Sequence, residues 1–152
     1  MSDKENTSDR PCFTDRMLIQ LARDSRHAAY APYSHYTVGA ACIAESGVAY
    51  FGCNIENASY PVGLCAERTA VAAAIAHGEK KIISVAIAGG PASEPPDRSI
   101  RPCGMCLQFL SEFMEPDSPV YIADGNDHEI RLTMKELFPY AFSLSRNRES
   151  ED

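Results

Sequence analysis

Ile82-Ile83-Ser84-Val85-Ala86-Ile87-Ala88 is the stretch on which the architecture turns. It is almost wholly apolar, of strand length, and bounded by Lys81 and by Gly89-Gly90. Such a run reads as a central strand covered on both faces. The covers lie on either side of it in sequence. Upstream, Cys65 opens an alanine-rich helix over Glu67 to His77, with Gly78 as its left-handed cap. Downstream, a second helix runs from around Cys103 to about Met114, and Pro116 and Pro119 end it. Further out, Tyr36 to Ala44 reads as a buried strand that turns at Ser46-Gly47 into Val48 to Asn54. Val120 to Ala123 and Glu129 to Leu132 form another strand pair around Asp124-Gly125-Asn126. Thr14 caps a helix to Tyr30 carrying Met17, Leu18, Leu21, Ala22, Ser25, Ala28 and Ala29 at helical spacing, and Pro32 follows. Thr133 and Glu136 make a capping box for a last short helix. The order implies an α/β fold of three layers, α/β/α, around a mixed sheet of about five strands with the first hairpin at one edge.

The chain of 152 residues, 45% apolar and 23% charged, has the size and composition of one ordinary globular domain. No stretch is apolar enough, for long enough, to span a membrane. Met1 to Pro11 is polar and lacks an apolar core, so it reads as a disordered tail and not as a secretory signal, and a cytoplasmic location is expected. Residues 1–12 and the acidic 146–152 are expected to be tails around a single domain at 13–145. The net charge of −7 argues against nucleic acid as partner, because a phosphate backbone calls for clustered Lys and Arg. A free nucleoside or base remains open as substrate.

Six cysteines without an export signal suit metal binding better than a disulfide framework. Cys12 lies in the expected tail, and Cys42 and Cys53 sit in apolar segments as small thiols without chemistry. Cys65-Ala66-Glu67 and Pro102-Cys103-Gly104-Met105-Cys106 are different. Three cysteines at two helix starts are too few for a closed structural zinc site and suit a catalytic one, which keeps a position for water. Cys103 and Cys106 fall on one side of a first helical turn, and helix dipoles at both starts favour thiolates there. Zinc on three thiolates carries excess negative charge. Arg68 is placed to offset it, and Glu67 to shuttle a proton beside the metal. None of His27, His35, His77 or His128 lies at ligand spacing from a cysteine, and His77 serves a helix C-terminus instead.

Cys65-Ala66-Glu67-Arg68-Thr69-Ala70 and Pro102-Cys103-Gly104-Met105-Cys106 resemble the signature of the cytidine deaminases. Tyr30-Ala31-Pro32-Tyr33-Ser34-His35-Tyr36-Thr37-Val38-Gly39-Ala40-Ala41 and Gly52-Cys53-Asn54-Ile55-Glu56-Asn57-Ala58-Ser59-Tyr60-Pro61 resemble the small nucleoside-acting branch of that family. With Leu137 to Phe142, the likeness runs from about Ala29 to Phe142. It implies the cytidine deaminase-like form of the three-layer fold and one zinc ion per subunit on Cys65, Cys103 and Cys106. It further implies hydrolytic deamination of cytidine and 2′-deoxycytidine, in pyrimidine salvage, with Glu67 as proton shuttle.

Carried over by resemblance, Asn54 and Glu56 bind the ribose, Tyr36 packs on the pyrimidine, and the backbone of Ala66 reads the base. Ala58 joins the substrate contacts. Tyr60 lies near a shared pocket, and Phe142 reaches a neighbouring subunit's site in a homotetramer. Tyr36 departs from the family's usual phenylalanine. Leu107 stands where many relatives carry arginine, which leaves Arg68 as the main charge compensator. Two other readings stay open at this point: a deaminase of a modified cytosine nucleoside of the blasticidin type, and a non-catalytic zinc-binding scaffold. A nucleic-acid editing deaminase is disfavoured by net acidity, by the short chain and by cysteine where that branch has histidine.

Overall fold

The computed structural model describes residues 13–144. The expected tails and Cys12 fall outside these residues. The elements follow the expected order: α1 (Asp15–Ser25), β1 (Tyr36–Ala44), β2 (Ala49–Cys53), α2 (Ala66–Ala76), β3 (Ile82–Pro91), α3 (Gly104–Ser111), β4 (Pro119–Ala123), β5 (Glu129–Thr133) and α4 (Met134–Leu137). The strands form one mixed sheet in the order β2-β1-β3-β4-β5, with only β3 and β4 parallel. The first hairpin therefore lies at an edge. β3 is the central strand, and its side chains enter both apolar clusters.

Alternation along the strands separates the two layers. Ala40, Cys42, Val85, Ile87, Val120 and Ile122 pack against Ala70, Val71 and Ala74 of α2 and Leu107 and Leu110 of α3. Ala41, Ile43, Ala86, Ala88, Tyr121 and Ala123 face Leu18, Ile19 and Ala22 of α1. The buried stripe of α1 is Leu18, Ile19, Ala22 and Ser25, whereas Met17 is exposed. That stripe lies one position round from the one expected. Two glycines let helices rest directly on strands. A Cβ on Gly39 would sit 2.1 Å from Ala22 O, and one on Gly52 would sit 2.5 Å from Ala70 N of α2.

Three boundaries differ from the sequence expectation by more than one residue, each for a tertiary reason. α1 stops at Ser25 and tightens into a 3-10 turn at Arg26–Ala28. The chain is then drawn away, because Tyr30 N donates to Asn54 O (3.0 Å) and Tyr30 O accepts from Glu56 N (2.8 Å). β3 continues through Gly89-Gly90 to Pro91, since Tyr36 to Val38 of β1 extend the ladder opposite it. The glycine pair permits a close approach: a Cβ on Gly89 would meet Ile100 Cδ1 at 2.1 Å. α3 ends at Ser111, three residues before Met114, and the Phe113 carbonyl turns to accept from Ile82 N at 2.9 Å.

The expected caps are present. Thr14 Oγ1 accepts from Met17 N at 3.3 Å, Gly78 has φ +93°, and Thr133 and Glu136 form the reciprocal capping box. Gly52→Ala is expected to push α2 off β2 and destabilise the protein by about 1–3 kcal/mol, the usual cost of overpacking. A lowered urea midpoint at unchanged slope measures it.

Candidate metal centre and active site

Both cysteine motifs follow strands that run in the same direction. β2 runs parallel to β3 with β1 between them, α2 follows β2, and α3 follows β3. Open α/β sheets place their ligands beyond the carboxyl ends of their strands. Cys65 and Cys103 are the N-cap residues of α2 and α3, with extended backbones (φ −78°, ψ 152° and φ −71°, ψ 164°). N-caps are usually Ser, Thr, Asp or Asn, whose oxygen bonds the first turn. Neither sulfur makes such a bond, so both are free to turn toward each other. Cys106, one turn into α3, is fully buried beneath them.

The sulfurs of Cys65, Cys103 and Cys106 lie within 4.8 Å of one another, and those of Cys65 and Cys103 are 3.8 Å apart. Sulfurs at the zinc bond length in a tetrahedron are separated by about 3.8 Å, so the donor set has the spacing zinc takes. The local electrostatics also call for a cation. Contact with Cys106 and Cys103, together with Arg68, lowers the Cys65 pKa to about 5, against burial. The Cys65 contact and burial raise that of Cys106. One thiolate thus forms readily, and a second beside it needs a positive ion.

Arg68 is the first basic group outside the sulfurs. Burial works against its charge, but Cys65 and Cys106 outweigh burial and raise its pKa. Its Nη2 donates to Gly63 O at 3.3 Å, and its Nε is buried without a hydrogen-bond acceptor. Glu67 is 4% exposed. Burial, helped by the charge on Cys65 and opposed by Arg68, pushes its carboxyl up to about 7. A carboxyl poised there takes and returns a proton at neutral pH. Ala66, fully buried, opens α2, and its N–H belongs to the first turn, which has no acceptor within the helix.

A cavity of about 480 Å³ adjoins Cys65 and is lined by Tyr33, Ser34, Asn54, Ile55, Glu56, Asn57, Tyr60, Gly63 and Leu64. Of the expected substrate contacts, Asn54, Glu56 and Tyr60 therefore meet beside Cys65. Glu56 Oε1 accepts from Tyr33 N (2.9 Å) and Ser34 N (3.1 Å), which fixes the carboxylate and lowers its pKa, chiefly through Ser34. Asn54 is occupied differently from the expectation. Its Oδ1 accepts from Val38 N at 2.8 Å and its Nδ2 donates to Tyr36 O at 2.9 Å. It steadies the start of β1 as well as lining the cavity. Tyr36 shares its face of β1 with Val38, Ala40 and Cys42, on the α2 and α3 side.

Ala58 is exposed and lies outside the cavity lining. Phe142 is 67% exposed, and its carbonyl accepts from Gln108 Nε2 at 3.0 Å. Gln108 and Tyr33 were not singled out from the sequence. Gln108 ties the C-terminal segment to the ligand-bearing helix, and Tyr33 packs its ring against Tyr60 with centroids 6.0 Å apart. Tyr33 lies within the Tyr30 to Ala41 stretch and Gln108 follows Cys106 by two residues, and neither carries a signal beyond that position. Cys42 is buried with its thiol pushed up to about 12, and Cys53 is half-buried. His77 caps α2, with Nδ1 2.8 Å from Ala73 O.

The family model for the zinc-binding region of cytidine and deoxycytidylate deaminases matches residues 13–122, a span that holds all three sulfurs and Glu67. The chain belongs to that family. Cytidine deaminase from Sporosarcina psychrophila is 40% identical over 126 residues, covering 83% of this chain and 89% of that protein. A blasticidin-S deaminase from Bacillus cereus is 32% identical over 132 residues, covering 85% and 92%. The crystal structure of cytidine deaminase from Burkholderia pseudomallei superposes with a TM-score of 0.77 at 37% identity, covering 85% of this chain and 99% of that one. The three-layer fold is thus that of the cytidine deaminases, and the sulfur cluster, whose spacing could hold one metal ion, lies inside the matched zinc-binding region. Arg68→Gln is expected to weaken zinc retention about 10- to 100-fold, as loss of a group supporting metal ligands does. Competition against a chelating dye measures it, and parental retention would remove Arg68 from the site.

Proposed function

We propose that the protein hydrolytically deaminates cytidine and 2′-deoxycytidine to uridine and 2′-deoxyuridine, releasing ammonia. The observation that carries this reading is the buried Glu67 carboxyl, in the first turn of α2 beside the three-sulfur cluster and near a cavity of nucleoside size. Zinc, when bound, acidifies the water that attacks C4 of the base. Glu67 takes one proton from that water and delivers it to N3, then takes the second from the hydroxyl added at C4 and passes it to the amine, which leaves as ammonia. The free N–H groups at the start of α2 suit the base carbonyl. Glu56, with one oxygen held by Tyr33 and Ser34, keeps the other for a ribose hydroxyl, and Asn54 supports it. Arg68 draws charge from the thiolates, which keeps a three-sulfur zinc acidic enough to work.

Nucleoside is favoured over nucleotide because Glu56 is the charged residue lining the cavity, where no Lys or Arg appears. A 5′-phosphate brought there would meet like charge. The similarity to blasticidin-S deaminase leaves modified cytosine nucleosides as the second reading. Among the described residues, no helix is long and apolar enough to cross a membrane. A cytoplasmic role in pyrimidine salvage agrees with that. Exposed Tyr60, Val62, Met105, Tyr140 and Phe142 support a homotetramer with Phe142 entering a neighbour's site.

Glu67→Gln, loaded with zinc, is expected to lose at least about a hundredfold in kcat, the scale of a lost general acid–base group. Ammonia release from cytidine at the parental rate would refute the assignment. Across cytidine, deoxycytidine, cytosine, cytidine monophosphate and blasticidin S, the two free nucleosides should give the highest kcat/KM. A higher value for blasticidin S selects the second reading.

A further inference from the structure

Arg26, at the end of α1 and on the far side of the sheet from the sulfurs, is 8% exposed. Its guanidinium is spent on backbone carbonyls. Nε donates to Thr37 O (3.2 Å), while Nη2 lies within donating distance of Gly90 O (3.1 Å), Pro91 O (3.0 Å) and Glu94 O (3.2 Å). No ion pair to Arg26 occurs among the described residues. Burying an arginine without a carboxylate is costly, and this environment lowers its pKa chiefly through desolvation. A planar fork that spans several carbonyls is what Arg offers and Lys does not.

These carbonyls belong to the entry of β1, the end of β3 and the loop that leaves β3. That loop crosses the end of the sheet. It begins on the α1 side, where Gly90 shares the face of Ala86 and Ala88. It arrives on the α3 side, where Ile100 joins the core beside Val38. Its path is held by Asp97 N donating to Gly89 O at 2.6 Å and by Gly90, where a Cβ would fall 2.9 Å from Pro95 O and 3.3 Å from Arg26 Nη2. The loop then delivers buried Pro102 and the N-cap Cys103. Thr37, the acceptor on β1, is the neighbour of Tyr36.

We propose that Arg26 is a positioning residue for the deaminase reaction: from the opposite layer it anchors the loop that sets Cys103 and Cys106 against Cys65. The inference rests on the proposed deaminase reading for its activity arm and on the sulfur cluster alone for its metal arm. The experiment compares the zinc-loaded parent with Arg26→Lys, Arg26→Met and Gly90→Ala, at a temperature where circular dichroism shows each to be folded. The transfer of zinc to a chelating dye is timed, and kcat and KM for cytidine are measured.

Arg26→Met is expected to release zinc about tenfold faster and to lose about tenfold in kcat, within the range for groups that support metal ligands. KM should change less. Arg26→Lys should fall between it and the parent. Gly90→Ala, which keeps the guanidinium but displaces the loop, should follow the same pattern. A folded Arg26→Met with a lowered Tm but parental zinc release and kcat would make Arg26 a stabiliser only and overturn the proposal. Should Arg26→Met fail to fold, parental behaviour of Arg26→Lys and Gly90→Ala overturns it instead. A parent inactive on cytidine that nonetheless shows the expected differences in zinc release would sink the functional reading and leave the positioning role intact.

Discussion

The N-termini of α2 and α3 must meet so closely that sulfurs from both come within a zinc ion's reach, and the rest of the molecule answers to that requirement. It sets how far α2 stands from the sheet, which is why Gly52 lies bare beneath Ala70 N and why Thr69 Oγ1 bonds the Cys53 carbonyl at 2.9 Å. It sets the reach of α3 through the loop that folds back over Gly89 and Gly90. The two helix dipoles point positive ends at the same spot and favour the negative charge gathered there. With cysteine in place of the usual capping residues, each helix end forgoes the side-chain bond that a Ser or Asp would supply locally.

Charge balance follows from the same geometry. In the proposed site, three thiolates on a divalent ion would leave a net negative charge, and Leu107 offers nothing to relieve it. Arg68 is placed to do so, since it follows Glu67 on α2 and faces Cys65 and Cys106. The proposed proton shuttle and charge compensator are neighbours in sequence. Their side chains meet different surroundings: Glu67 is buried against the sulfurs, while the Arg68 guanidinium also reaches the Gly63 carbonyl.

Local patterns were legible in the sequence wherever one residue's chemistry decides them. Thr14, Gly47, Gly78 and the pair Thr133 and Glu136 act as their types predict, and β1 runs from Tyr36 to Ala44 as its apolar pattern indicates. The clustering of the three sulfurs was legible because three cysteines at helix starts have few other uses. Tertiary pulls were not. Gly89-Gly90 looks like punctuation in a sequence, yet it is strand whose bare Cα atoms admit a crossing loop. The Asn54 side chain reads as a ribose ligand and turns out to be engaged with β1 as well. Nor does a sequence mark Arg26 or Gln108, whose acceptors are carbonyls far away along the chain.

Asn54 sits where β2 has ended and the main chain swings out to make the wall of the cavity. Its carboxamide stands in for a peptide unit, accepting from Val38 and donating to Tyr36 as a strand neighbour would. A side chain thereby works as a surrogate strand for one more rung of the ladder. The sheet edge keeps its polar groups satisfied while the backbone itself departs to open a space for substrate. The arrangement tolerates almost no chemical drift: exchanging that one amide nitrogen for oxygen would set two acceptors face to face at the rim of the pocket.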